Sequence, residues 1–306
     1  MPEPVFSRLA IVGAGLIGSS IARAAREYGT AGEIVLFDAS PEVRARAGEI
    51  GLGTIAPSLE AAVVDADCVI LCVPVGALGA VAAGAVPAMK DGAILTDVGS
   101  VKSEAARALE AAADGRIHVI PGHPIAGTEQ SGPDAGFPGL FKGRWCIFTP
   151  LEGTDGQAMA RLRGFWEALG SMCDEMDPQH HDKVLAIVSH LPHIIAYNIV
   201  GTADDLEAVT ESEVIKYSAS GFRDFTRLAA SDPTMWRDVC LHNKDAILEM
   251  LARFSEDLAY LQRAIRWGEG DKLFELFSRT RTIRRSIVQA GQDVDVPDFG
   301  RHTLDK

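Results

Sequence analysis

His123 is flanked by Gly122 and Pro124 in the stretch VIPGHPIAGTEQSG, residues 119–132. It lies within a Gly- and Pro-rich run from Pro121 to Gly143, which reads as a long loop, and a long loop inside a compact domain is either functional or disordered. An imidazole titrates near pH ~6.5, so a loop that holds one against a bound molecule can give or take a proton at neutral pH. The same loop carries Thr128 and Glu129. A second cluster, TDVGSVKSE at 96–104, follows the apolar run Ala93 to Asp97 and falls at the carboxyl edge of a predicted sheet, where open α/β folds bind ligands. Ser100 is expected to cap the helix that follows and to face a ligand at that edge.

Other candidates lie further along the chain. His190 and His193 in SHLPH share one helix face beside Pro192, which removes a backbone donor and bends the helix, so the two rings are expected to line a cavity. A metal reading needs a third ligand or an H-E-x-x-H pattern, neither of which is present, and no metal is expected. His180 and His181, in a helical first turn among polar residues, are expected to be exposed. In SGFRDFTRLAASDPTMWRD, Arg223 and Arg227 lie on one helix face with Asp224 between them. Arg223 reads as part of a solvated ion pair. Arg227 is a candidate carboxylate clamp, because a guanidinium matches a carboxylate bidentately. Trp236 is either core or a cleft wall.

The elements that must position these residues begin with AIVGAGLIGSS. Gly13, Gly15 and Gly18 form G-x-G-x-x-G directly after a predicted strand and at the opening of a helix, and Asp38 ends the next strand 20 residues after Gly18. Gly13 permits the tight turn, Gly15 lets the backbone approach a diphosphate, and Gly18 lets helix pack on strand. The diphosphate then sits at the helix N-terminus, at Leu16 and Ile17. Asp38 would accept the adenosine ribose hydroxyls and repel a 2′-phosphate, which favours NAD over NADP; FAD is bound by the same pattern and stays open on this motif alone.

Up to residue 177 short strand-like runs (RLAIVG, GEIVLFD, DCVILCVP, GAILTDVG, IHVIPG, WCIFTP, SMCDEM) alternate with Ala-rich helical stretches, the mark of βαβ units and a mostly parallel sheet. After it the strands stop. Helix starts are expected near 178 and 233, where Asp-Pro supplies an N-cap and a first helical residue. The last long helix carries Ile247, Met250, Leu251, Phe254, Leu258, Leu261 and Ile265 on one face and stops at Gly268. The expected architecture is a Rossmann-type, doubly wound α/β domain over 1–177 followed by an all-helical domain over 178–306. The segment 184–200, apolar almost all round, should be buried, and two such apolar surfaces in one small helical half predict a homodimer.

A net charge of −13 argues against nucleic acid or an anionic membrane as partner. The best apolar run, Val184 to Val200, is interrupted by two His, a Pro and an Asn, so no membrane span is expected. The N-terminus lacks a secretory pattern, and the five scattered cysteines suit reduced thiols, so a cytoplasmic location is expected.

Together GAGLIGSS, TDVGSVK, GHPIAGTEQSG, SHLPH and GFRDFTR…SDPTMWRD, in this order, resemble the prephenate/arogenate dehydrogenase family of tyrosine biosynthesis, over nearly the whole chain from Leu9. The resemblance implies an NAD-dependent oxidative decarboxylation by a Rossmann domain joined to a helical, intertwined dimerisation domain. It implies that His123 is the catalytic histidine at the substrate's ring hydroxyl, with Ser100 beside it. His193, with His190 near, would line the pocket, Arg227 would grip the side-chain carboxylate, and Trp236 would come from the partner subunit. Thr128 and Glu129 match loop positions near the substrate, and Asp224 would read an ammonium or pair with Arg227. No fused chorismate mutase domain is expected before Leu9, and the tail after Gly291 is expected to be too short for a regulatory ligand-binding domain. Two readings compete: a β-hydroxyacid-type dehydrogenase, which would need a lysine such as Lys183 at the site, and a non-catalytic NAD-sensing protein, which would need no base.

Overall fold

The computed structural model describes residues 3–210 and 220–289; the stretch after Gly291 lies outside the described residues. Apolar runs bounded by turn residues make the strands of the first half: β1 (Phe6–Val12), β2 (Ala31–Phe37), β3 (Thr54–Ile55), β4 (Cys68–Leu71), β5 (Ile94–Asp97) and β6 (His118–Val119). They form one sheet in the order β3-β2-β1-β4-β5-β6, with every neighbouring pair parallel. Leu9, Ala10, Ile11 and Val12 are all buried, so both faces of β1 are covered, as parallel sheets require. The covering helices include α1 (Leu16–Glu27), α2 (Pro41–Glu49), α3 (Leu59–Val63), α4 (Leu78–Ala85) and α5 (Lys102–Ala112). The order reverses between β1 and β4, which places the glycine turn after β1 at the switch point where such sheets bind ligands.

The expected loop around His123 is in part a strand. β7 (Gly122–Pro124) pairs antiparallel with β8 (Trp145–Phe148), which runs parallel to β9 (Met172–Glu175), with α6 (Gly156–Ala168) between β8 and β9 in the chain. His123 lies opposite Ile147. Gly and Pro did not exclude a strand here because the partner, some 20 residues later, supplies hydrogen bonds on either side: Thr149 N–H to the Pro121 carbonyl and Ile125 N–H to the Trp145 carbonyl.

The chain divides into two compact units, Met1–His190 with Ala230–Lys244, and Leu191–Ala229 with Asp245–Lys306. The first unit therefore also holds α7 (Pro178–Leu185), and the second holds α8 (Leu191–Thr210) and α9 (Ser220–Thr226). α10 (Pro233–His242) belongs to the first unit, and α11 (Lys244–Arg266) and α12 (Gly270–Gln289) make up most of the rest of the second. Both Asp-Pro starts are real: Asp177 accepts the N–H groups of Gln179 and His180, and Asp232 that of Met235.

Three expectations for the helical half need correction. α11 is not the last helix, because Gly268, at φ +65°, ends it only for α12 to begin two residues later. The segment 184–200 is not buried throughout: Ile187, Val188, Ile199 and Val200 are exposed in the single chain, as are Leu258 and Ile265 of the α11 stripe, since one copy offers nothing to cover them. The helical run Pro178–Asp205 is also long and apolar enough, by length and composition, to cross a bilayer. The interruption at Pro192 did not shorten it because a π-helical turn, Ala186–His190, sits just before the missing donor and carries the helix through.

Candidate active site

The glycine turn fits a dinucleotide. A Cβ at Gly13, whose φ is +100°, would meet the Cys72 carbonyl oxygen at 2.3 Å, and one at Gly18 would meet the Gly13 carbonyl oxygen at 1.9 Å. In front of Gly15 the space is open, with no atom within 4 Å of a Cβ placed there. Gly15 caps α1 without a side-chain bond, so the first N–H groups of the helix, at Leu16 and Ile17, receive no side-chain cap and lie at the positive end of the helix dipole, where an anion is stabilised. Asp38 accepts the Ala14 N–H at 2.8 Å through one oxygen and the Ser40 N–H at 2.9 Å through the other. It braces the turn, and each oxygen retains a lone pair for a ribose hydroxyl.

At the carboxyl end of β5 the chemistry is organised by a buried ion pair that the sequence reading did not include. Lys102 and Asp97 are both fully buried, 2.5 Å apart. Asp97 also accepts the Gly99 N–H at 2.8 Å and the Gly122 N–H at 3.3 Å, while Lys102 Nζ donates to the Gly122 carbonyl at 2.8 Å. Gly122 is thus held through both its polar groups, and the next residue is His123. The His123 Nδ1 is 2.9 Å from His181 Nε2, and His181 Nδ1 is 3.0 Å from Asp182 Oδ1. Asp182 also accepts the N–H groups of Lys102 at 2.7 Å and Ser103 at 2.9 Å. Asn243 Nδ2 donates to the Asp182 carbonyl at 2.9 Å and stands 3.1 Å from His190 Nδ1.

Burial, above all, pushes the His123 imidazole well below its ordinary value, with smaller effects from His181, Lys102 and His190. Burial likewise lowers His181, against the opposing effect of its hydrogen bond to Asp182. Burial acts to raise the Asp182 carboxyl, but the donors His181, Lys102 and Ser103 outweigh it and hold it below the usual range. The result is a carboxylate, two neutral imidazoles in series, and a proton acceptor at the carboxyl edge of the sheet.

The first unit brings together His123, His190, Trp236 and the segment carrying Ser100. Trp236 is buried on α10, its ring centroid 6.0 Å from that of His190. Ser100 does not cap α5: the N-cap is Val101, and Asp182, distant in sequence, takes the N–H groups the cap would have taken. Thr128 is exposed and Glu129 half-buried on the segment after β7. His193, half-buried on α8, Asp224, exposed on α9, and Arg227, exposed in the 3₁₀ turn Arg227–Ala230, belong to the second unit. His181 is fully buried, contrary to its expected exposure, whereas His180 is exposed. The available signal was the helical spacing of His181 with the buried Leu185 on one face of α7. Lys183 is exposed.

A glycine turn at the switch point, an acid closing β2 and a buried neutral imidazole at the same sheet edge define the class: a Rossmann-type, NAD-dependent dehydrogenase. Residues 21–174 match the family model of the prephenate dehydrogenase nucleotide-binding domain, and residues 177–279 match that of the prephenate dehydrogenase dimerization domain. The cyclohexadienyl dehydrogenase of Zymomonas mobilis is 43% identical over 92% of this chain and 97% of its own length. The prephenate dehydrogenase of Bacillus subtilis is 32% identical over 94% of this chain and 80% of its own. The crystal structure of prephenate dehydrogenase from A. aeolicus in complex with hydroxyphenyl propionate and NAD+ superposes with a TM-score of 0.85 at 34% identity, covering 92% of this chain and 98% of that one. The chain belongs to the prephenate dehydrogenase family.

Proposed function

We propose that this chain catalyses the NAD-dependent oxidative decarboxylation of prephenate to 4-hydroxyphenylpyruvate, of arogenate to tyrosine, or of both, as a cytoplasmic homodimer in tyrosine biosynthesis. The observation that carries the reading is His123: a buried imidazole held neutral on β7, beside the carboxyl end of β5. Prephenate carries a ring hydroxyl opposite a carbon that bears a carboxylate. His123 takes the hydroxyl proton as the carbon–hydrogen bond at the hydroxyl-bearing carbon breaks. Bound NAD+ supplies the acceptor for the departing hydride. The ring ketone so formed is conjugated to the carbon bearing the carboxylate, whose electron pair enters the ring as CO₂ leaves and the ring becomes aromatic.

In this reading Ser100 holds the hydroxyl beside His123, and Arg227 clamps the side-chain carboxylate by charge-assisted bonds. His190, His193, Trp236, Thr128 and Glu129 line the substrate, and Asp224 reads the side-chain ammonium of arogenate. Gly13, Gly15, Leu16, Ile17, Gly18 and Asp38 hold the cofactor. The exposed apolar side chains Leu258, Ile265, Trp267, Phe274 and Phe277 on and after α11 support a dimer made by the helical half. Side-by-side kinetics with prephenate and arogenate, read as NADH formation, test the activity; turnover of neither substrate overturns it. Light scattering tests the assembly, and a monomeric mass at micromolar concentration overturns it.

A further inference from the structure

Neither the sequence motifs nor the family match assigns a role to the pair that follows the Asp-Pro start of α7. We propose that His181 and Asp182 are positioning residues: Asp182 accepts the His181 Nδ1–H, His181 Nε2 accepts the His123 Nδ1–H, and His123 Nε2 is thereby left as the bare lone pair that receives the substrate's proton. The proposal rests on the reading of His123 as the base.

The direction of each bond follows from what each group can do. Asp182 accepts the Lys102 and Ser103 N–H groups and its carboxyl is held below the usual range, so it is ionised, has no proton of its own to give, and can only accept from the His181 Nδ1 that lies 3.0 Å away. His181 must therefore carry a proton on Nδ1. Buried and neutral, it has none on Nε2, so the proton in the 2.9 Å contact between the two rings sits on His123 Nδ1. The opposite arrangement, with His181 doubly protonated and donating to His123, would place an imidazolium in a fully buried position and turn His123 Nε2 into a donor, which is useless to a base.

The same carboxylate fixes more than a tautomer. By accepting the Lys102 and Ser103 N–H groups it caps α5 in place of a local side chain, so the helix that follows Ser100 and the ring of His123 are set by one group. Lys102 then closes the circuit through the Gly122 carbonyl. When the hydroxyl proton reaches His123 Nε2, the new positive charge is shared along the relay with the Asp182 carboxylate, the stabilisation a buried acid gives a catalytic imidazole.

Two measurements test this. In protein carrying nitrogen-15 histidine, without substrate, the ring signals that vanish in His123→Asn and His181→Gln report the two rings. The relay predicts a protonated Nδ1 and a bare Nε2 on both at neutral pH; a proton on Nε2 of His123 overturns it. Second, His181→Leu removes the acceptor at similar volume and should lower kcat by about 10²-fold with KM within about threefold, whereas His181→Gln, which keeps a carbonyl near the Nε2 position, should recover at least about tenfold of that loss. Equal kcat in His181→Leu and the parent overturns it. If His181→Leu does not fold, seen as loss of NAD+ affinity, the spectra alone decide. The tautomer is read without turnover, so a correct tautomer with an unimpaired His123→Asn enzyme would refute the base assignment and leave the relay standing.

Discussion

Replacing Lys102 by Met probes the ion pair on which the site is built. Both side chains are fully excluded from solvent, and removal of the ammonium leaves Asp97 charged with only the Gly99 and Gly122 N–H groups, at 2.8 and 3.3 Å, to face it. The Gly122 carbonyl also loses its 2.8 Å donor. Breaking a buried pair by removing one partner costs about 3–5 kcal/mol, because the remaining charge is not resolvated. Lys102→Met should therefore lose about that much of a total stability of order 5–15 kcal/mol. In the double variant Lys102→Met/Asp97→Asn the orphaned charge is gone and the amide oxygen can still accept one of the two N–H groups that Asp97 accepts, so about 2 kcal/mol or more should return. Urea unfolding at one protein concentration, with unchanged m-value, is the assay. A single variant that loses under about 1 kcal/mol, or a double variant no more stable than the single, would refute the reasoning.

Further expectations attach to the cofactor, the substrate and pH. Asp38→Ser should narrow the preference for NAD over NADP, since it removes the charge facing a 2′-phosphate and leaves Arg44, held by the Asp38 and Ala39 carbonyls, at the same edge; an unmodified enzyme that turns over faster with NADP at equal low concentration contradicts the reading of Asp38. Arg227→Ala should raise KM by an amount worth about 1.5–3 kcal/mol with kcat nearly unchanged, because a carboxylate clamp acts on ground and transition states alike; a large fall in kcat at constant KM assigns Arg227 another role. His123 and His181 are lowered from 6.5 on folding, so the unfolded chain takes up protons that the folded chain refuses. Their contribution to stability is complete above pH ~6.5 and is lost as pH falls below it, at up to about 2.7 kcal/mol per pH unit for two protons. Urea midpoints that stay flat from pH ~6.5 to ~5.5 would contradict this.

The cofactor half was legible because its signals are local. The glycines, the helix they open and Asp38 lie within one βαβ unit, and the close approaches at Gly13 and Gly18 are those the spacing predicts. What escaped the sequence depends on distant partners. The strand holding His123 needs β8, and the cap of α5 needs Asp182, far along the chain, so Ser100 looked like the cap. His181 looked exposed because its neighbours Gln179, His180 and Lys183 are polar, yet only one face of that turn meets solvent. Nothing local marks Lys102, since burial of a charge is set by a counter-ion that no local pattern reveals. The apolar stripes were read correctly as stripes, but whether one chain covers them is a property of assembly rather than of periodicity.

The central claim is that His123 handles the ring-hydroxyl proton, and His123→Asn tests it most directly. Asparagine keeps a group near the Nδ1 position, able to donate to His181 Nε2, but offers no lone pair basic enough to take a proton. With NAD+ and prephenate, followed as NADH absorbance, kcat should fall by about 10²–10⁴-fold while NAD+ affinity stays close to normal. The acid limb of the parent's kcat profile, which burial of His123 places below pH ~6.5, should vanish in the variant. A variant that keeps near-parental kcat with the acid limb intact would contradict the account and move the base elsewhere, with His190 and His193 the next to test.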